Sequence, residues 1–133
     1  MTEDMITYLK ADATLTGLIG SGTACRLYPN FATAKDPTAP YVVYGIQSDP
    51  GRTKGNNVCE RMYRFSVFAA TVLAAETIER RLDVLLDKDA AIAITSASYY
   101  IKSSWHSGGS SMYEQDTKLH HRAALYTLLY VEK

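Results

Sequence analysis

The chain has 133 residues, of which 47% are hydrophobic and 21% are charged, a composition that excludes a disordered or collagen-like protein. Chains of this size commonly fold as one domain, so we expect residues 1–133 to form a single unit with a sizeable core. The 14 Lys and Arg residues balance the 14 Asp and Glu residues. This zero net charge gives the molecule no overall attraction to nucleic acid or to an anionic membrane.

The sequence carries no pattern typical of a membrane protein or a secreted one. Its longest uncharged stretch, 13–25, is shorter than the roughly 20 apolar residues of a membrane-spanning helix. The first residues are acidic, and no apolar region with a small-residue cleavage site follows them, which argues against secretion. We therefore expect a reducing cytoplasm, with Cys25 and Cys59 as free thiols.

The first two predicted elements are short helices. Met5, Ile6 and Leu9 recur at helical spacing, and Thr2 is placed to cap the start of that helix. Asp12 is placed to cap a second helix, which Gly20 would end in a left-handed conformation.

A first hairpin is expected after a connector rich in Pro and Gly, which spans 21–40 and has room for a brief strand at 26–28. The β-branched and aromatic run 41–46 predicts one strand, and the alternation over 61–70 predicts its partner. The turn-forming residues of 48–57 between them predict a long loop.

A third helix is the element with the clearest periodicity. Thr71 is placed to cap it, and its apolar stripe comprises Ala75, Ile78, Leu82, Leu85 and Leu86. The acidic residues are expected on its solvated outer side: Glu76, Glu79, Asp83, Asp87 and Asp89.

A second hairpin is expected to complete the chain. One strand would place Ala97, Tyr99, Ile101 and Trp105 on a common face, and a loop at 108–111 would lead to a final strand over 119–131. The order helix, hairpin, helix, hairpin predicts an α+β fold, with a mostly antiparallel sheet of four to five strands and helices on one face. Since both faces of the final strand are apolar, self-association is expected to cover the second face.

No arrangement of residues indicates catalysis or a bound cofactor. His106, His120 and His121 lack metal-ligand spacing, and no nucleophile elbow or phosphate-binding loop is present. We therefore expect no catalytic, metal-binding or cofactor-binding residues. The alternative is a pocket built from residues distant in sequence, on which His106, His121 or Tyr side chains would converge.

Charged and aromatic residues indicate interaction surfaces instead. Arg52, Lys54, Arg61 and Arg64 form a local excess of positive charge, and 76–89 is rich in acids, so two different surfaces of neighbouring copies could meet and close a ring. For any single residue, the alternative that its charge belongs to a solvated face is favoured. Tyrosines on outer strand faces would suit such an interface, and Tyr100, Tyr126 and Tyr130 are the candidates.

Several short segments resemble the tail-completion or tail-terminator proteins of long-tailed bacteriophages. The segments lie along nearly the whole chain, at 9–20, 26–29, 39–44, 65–71, 75–78 and 113–122. The resemblance implies a hexameric ring on the head-proximal end of the tail tube, assembled in the host cytoplasm.

The same resemblance implies the partners of such a ring. They are other copies of the chain, the major tail tube protein and the head-tail connector protein, with DNA close by in the lumen. It also makes the loop 49–57 a candidate contact with a neighbour, the tube or the lumen, through Asp49, Arg52 and Lys54. Another neck connector or adaptor, or a small ligand-binding or enzymatic α+β domain, remains the alternative.

Overall fold

The computed structural model describes residues 1–30, 38–52, 57–88 and 94–133, with Gly51 and Arg52 described by their backbone. Three helices and five strands follow one another in the order α1 (Thr2–Lys10), α2 (Ala13–Ile19), β1 (Leu27–Pro29), β2 (Tyr41–Arg52), β3 (Val58–Ala69), α3 (Val72–Leu86), β4 (Tyr99–Glu114) and β5 (Leu119–Glu132). A short 3-10 turn, Gly22–Ala24, precedes β1.

The strands form one sheet in the order β1-β2-β3-β5-β4. The short strand β1 runs parallel to β2, and the other neighbouring pairs are antiparallel. The predicted α+β class and mostly antiparallel sheet are therefore confirmed.

Two of the three predicted helix caps are confirmed. Asp12 accepts a hydrogen bond from the Leu15 amide at 2.7 Å, and Thr71 accepts one from the Ala74 amide at 3.1 Å. The predicted cap at Thr2 is wrong, since α1 begins without a side-chain cap. The Thr2 hydroxyl lies instead 2.9 Å from the Tyr63 hydroxyl and so joins α1 to β3.

The core lies between the helices and one side of the sheet. The alternating residues Tyr63, Phe65, Val67 and Ala69 of β3 are fully buried there. So are Ala124, Tyr126 and Leu128 of β5, which face the buried stripe of α3: Ala75, Ile78, Leu82, Leu85 and Leu86. The Tyr8 hydroxyl of α1 donates to the Leu85 carbonyl, so α1 packs on this side too.

Strands extend into both predicted loops. β2 continues to Arg52 with register shifts near Ser48, so half of 48–57 is strand, and β3 begins at Val58, while residues 53–56 lie outside the described residues. Residues 108–111 lie inside β4 and pair with 122–125 of β5. Continuous pairing with neighbouring strands outweighs the turn preference of Gly and Ser here.

Irregularities in β4 also alter which side chains share a face. A register shift between Ile101 and Ser103 places Trp105 opposite Thr127, on the other side of the sheet from Ile101. The predicted common face is confirmed for Tyr99 and Ile101 and is wrong for Trp105, and Ala97 lies before the strand begins. A β-bulge inverts the side-chain alternation beyond it, which a strict period of two cannot anticipate.

No helix in the described parts of the chain is both long enough and apolar enough to cross a bilayer.

Candidate assembly surface

The side of the sheet away from the helices is called here the open face. Alternate residues of β5 point to it, and none of them is charged: Leu119, His121, Ala123, Leu125, Thr127, Leu129 and Val131. Six of these seven residues keep part of their surface exposed. The predicted two-sided apolar character of the last strand is thus confirmed, with one side under the helices and the other uncovered in the described part of the chain.

A row of aromatic rings crosses one end of the open face. Tyr41 of β2 stacks on Phe68 of β3 with ring centroids 4.8 Å apart, and Phe68 stacks on His121 of β5 at 4.3 Å. Tyr28 of β1 lies 6.2 Å from Tyr41 in a tilted arrangement and extends the row. These contacts join four strands, β1, β2, β3 and β5.

His121 lies on the open face, in the aromatic row, with Glu114 and Arg64 as its charged neighbours. Neither ring nitrogen has a hydrogen-bond partner among the described residues, although Nδ1 is 3.8 Å from Glu114 Oε1. Burial lowers the pKa of His121, the Arg64 charge lowers it further, and Glu114 opposes both. The imidazole is therefore neutral at pH 7.

Two shallow hollows of about 300 and 400 Å³ flank His121, and both are lined by Arg64, Ser66 and His121. His106 does not join them, because it lies on the helix side, 3.3 Å from Asp83 and stacked near Tyr126. Of the residues that the alternative pocket would use, His121 and Tyr41 line one of these hollows and His106 does not. No metal-binding group of three His, Cys, Asp or Glu side chains occurs among the described residues, and Cys25 and Cys59 are both buried and free.

The predicted basic patch is divided between the two sides of the sheet. Arg64 is exposed on the open face, opposite Leu125. Arg61 lies on the helix side, where it forms an ion pair with Asp49 at 2.9 Å and lies 5.6 Å above the Tyr130 ring. Hydrogen bonds with Tyr63 and Asp49 raise the pKa of Arg61 against the opposing effect of burial.

Of the remaining two members of that patch, the structure describes the backbone of one. The backbone of Arg52 pairs with Cys59 in the β2–β3 ladder, and Lys54 lies outside the described residues. Because Arg61 lies on the helix side, Arg64 is the member of the patch that the described part of the open face presents.

Two of the three tyrosines expected on outer faces are buried. Tyr126 is 0% exposed and Tyr130 is 4% exposed, both on the helix side of β5. Their predicted outward placement is wrong because the helices cover the side of β5 that carries even-numbered residues. Tyr100 of β4 is 56% exposed, as expected.

A polar seam between α3 and β5 was not anticipated from the sequence. Arg122 donates to Glu79 and lies 3.4 Å from Glu76, and the Tyr126 hydroxyl donates to Asp83. The predicted solvation of Glu79 and Asp83 is therefore wrong, since both carboxylates turn toward the sheet. Their spacing of four residues, which puts them on one helix face, was the available signal.

The outer side of α3 is unusually apolar for a solvated helix. Val72, Leu73 and Val84 are 46%, 69% and 52% exposed. Arg80 lies among them with a side chain that is 74% exposed. This surface and the open face both carry apolar side chains that are uncovered in the described structure.

The sequence matches no protein-family model and no curated protein. The fold is similar to a chain in the virion of a native gene transfer agent particle, with a TM-score of 0.72 and 18% sequence identity. That match covers 96% of this chain and 91% of the other. A second solved structure has a TM-score of 0.56 at 11% identity and covers 100% of this chain and 96% of the other. At these identities the likeness shows a shared fold.

Proposed function

We propose that the chain is a virion structural protein that forms a hexameric ring on the head-proximal end of a phage-like tail tube. The observation that carries this proposal is the fold match along 96% of the chain to a protein of a phage-like virion. The segments that resemble tail-terminator proteins support the more specific role. The ring would end tube growth and provide the docking surface for the head-tail connector.

In this role the protein makes and breaks no covalent bond. The free energy comes from covering apolar surface, at about 25 cal/mol for each Å² removed from water. The uncharged open face of β5 and the apolar outer side of α3 are the areas available for this. Packing between copies and against the tube would fix the ring while it leaves a lumen for DNA.

The β2–β3 hairpin is the proposed contact with the tube or the lumen. In this hairpin β2 ends at Arg52 and β3 begins at Val58. An ion pair between Asp49 of β2 and Arg61 of β3 joins the two strands. The sequence between the two strands adds the positive charges of Arg52 and Lys54, to which DNA or an acidic neighbour would be attracted.

Labelling of purified tails tests this role. Tagged protein is incubated with headless tails that lack their own terminator, and gold-labelled sites are mapped by negative-stain electron microscopy. We expect one label per tail, at the end opposite the tail tip, and tails of uniform length when the protein is present during tube assembly. Labels along the tube, at the tip, or only on the connector of isolated heads would contradict the proposal.

A further inference from the structure

We propose that the ring closes through a head-to-tail contact in which the outer side of α3 of one copy packs on part of the open face of the next copy. The inference rests on the proposed ring and names the two surfaces that build it. The receiving surface, called here the α3 dock, is the half of the open face that extends from Arg64 towards Val58. It comprises Met62, Trp105, Leu129 and Val131, with Arg64 and Glu60 at its charged positions.

The two surfaces match in their apolar residues. In the α3 dock, Met62, Leu129 and Val131 remain partly exposed after folding of the chain. On α3, Leu73 and Val84 are 69% and 52% exposed, and their separation of eleven residues places them on one stripe of the helix, about 16 Å apart. A sheet already packed by helices on one side gains a second helical layer from such a contact, which is a stable layer arrangement.

The two surfaces also match in charge. Arg64 and Glu60 point to the same side of the regular strand β3 and are four residues apart, which corresponds to about 14 Å. Asp87 follows the last residue of α3, and its Oδ1 accepts a hydrogen bond from the His106 amide at 3.0 Å, so this carboxylate is engaged with β4 of its own chain. Arg80 lies on the outer stripe of α3 with a side chain that is 74% exposed, where it can meet Glu60 of the next copy.

A second copy of this chain fits the dock because every copy carries both halves of the contact. The halves are different surfaces, so one contact leaves an unused dock on one copy and an unused α3 on the other. Repetition of such a contact closes into a ring when the rotation per copy allows it. A two-fold dimer, in contrast, would need one self-complementary surface.

A charge-swap series tests the contact. Glu60 and Arg80 are exposed, so Glu60→Arg and Arg80→Glu should leave the fold intact, which circular dichroism verifies. Assembly is measured by light scattering over a concentration series, alone and with purified tail tubes. We expect each single change to weaken assembly at least tenfold, and the double variant E60R/R80E to assemble within about threefold of the wild type. A double variant no better than the single ones would overturn the inference.

Apolar variants supply a matched control and a test of the head-to-tail arrangement. Val84→Lys should abolish the ring, whereas Ile46→Lys, at a side chain that is 50% exposed away from both surfaces, should leave it unchanged. A mixture of V84K and E60R should give a 1:1 dimer, because V84K still offers a dock and E60R still offers α3.

The outcomes separate the inference from the proposed function. A wild-type ring together with equally good rings from V84K and E60R would overturn the α3 contact alone. Mixed variants that remain monomers would overturn the head-to-tail arrangement. A wild type that stays monomeric in solution and on tube ends would overturn the proposed ring itself.

Discussion

His121 stacks on Phe68 in the open face, and its own imidazole ring is uncharged there. Burial lowers its pKa below the ordinary value of 6.5, so the unfolded chain binds a proton more readily than the folded one. The stabilisation that a neutral His121 provides is therefore complete above pH 6.5 and is lost as the pH falls below that value. Glu114 opposes the shift and Arg64 adds to it.

Replacement of His121 by Phe tests this linkage. The variant keeps an aromatic ring against Phe68 but cannot titrate, so we expect its unfolding free energy to decline less steeply between about pH 7 and pH 5 than that of the wild type. Urea denaturation at a series of pH values gives both curves. Parallel curves for the two proteins would show that His121 is not the responsible group.

The residues that sequence reasoning misplaced are those whose partners lie far along the chain. Glu79 and Asp83 have the composition of a solvated helix edge, yet Arg122 and Tyr126 draw them to the sheet. Tyr126 and Tyr130 were expected outside because both alternations of β5 are apolar. The sequence pattern of β5 shows apolar residues on both of its faces. It does not show which face the helices cover, and in the structure that is the face with the even-numbered residues.

At the scale of the elements, α3 was predictable almost to the residue. Its cap at Thr71 is a contact between near neighbours in the chain, and the helical spacing of its apolar residues can be seen in the sequence itself. The lengths of strands β2 and β4 were not predictable, because both strands continue through residues that favour turns. Their length depends on β3 and β5, which run beside them for twelve and fourteen residues.

The two adjacent glycines of β4 provide a test of that pairing. A Cβ at Gly109 would lie 2.7 Å from the Ala123 carbonyl oxygen, whereas one at Gly108 would meet only the Leu125 side chain at 3.9 Å. We expect Gly109→Ala to lower the unfolding free energy by about 2 kcal/mol and Gly108→Ala to change it by less than about 0.5 kcal/mol. Urea denaturation of the two variants measures this difference, and equal losses would argue against the β4–β5 register.

At the scale of the whole molecule, the sheet has one side packed by its own helices and one side left uncovered in the described structure. The sequence indicated this imbalance through the uncharged final strand and the small number of helices. The sequence could not indicate which surface packs on the open face, because the register shifts in β2 and β4 determine which side chains that face presents. The structure supplies one candidate, the apolar outer side of α3.

The central claim is that copies of this chain cover one another. The most direct test is the mass of the protein in solution, measured by light scattering after size exclusion over a wide concentration range, with and without tail tubes. The account predicts a discrete species near six times the 14.7 kDa of the chain, formed in solution or on tube ends. A monomer at every concentration, with tubes present as well as absent, would contradict it.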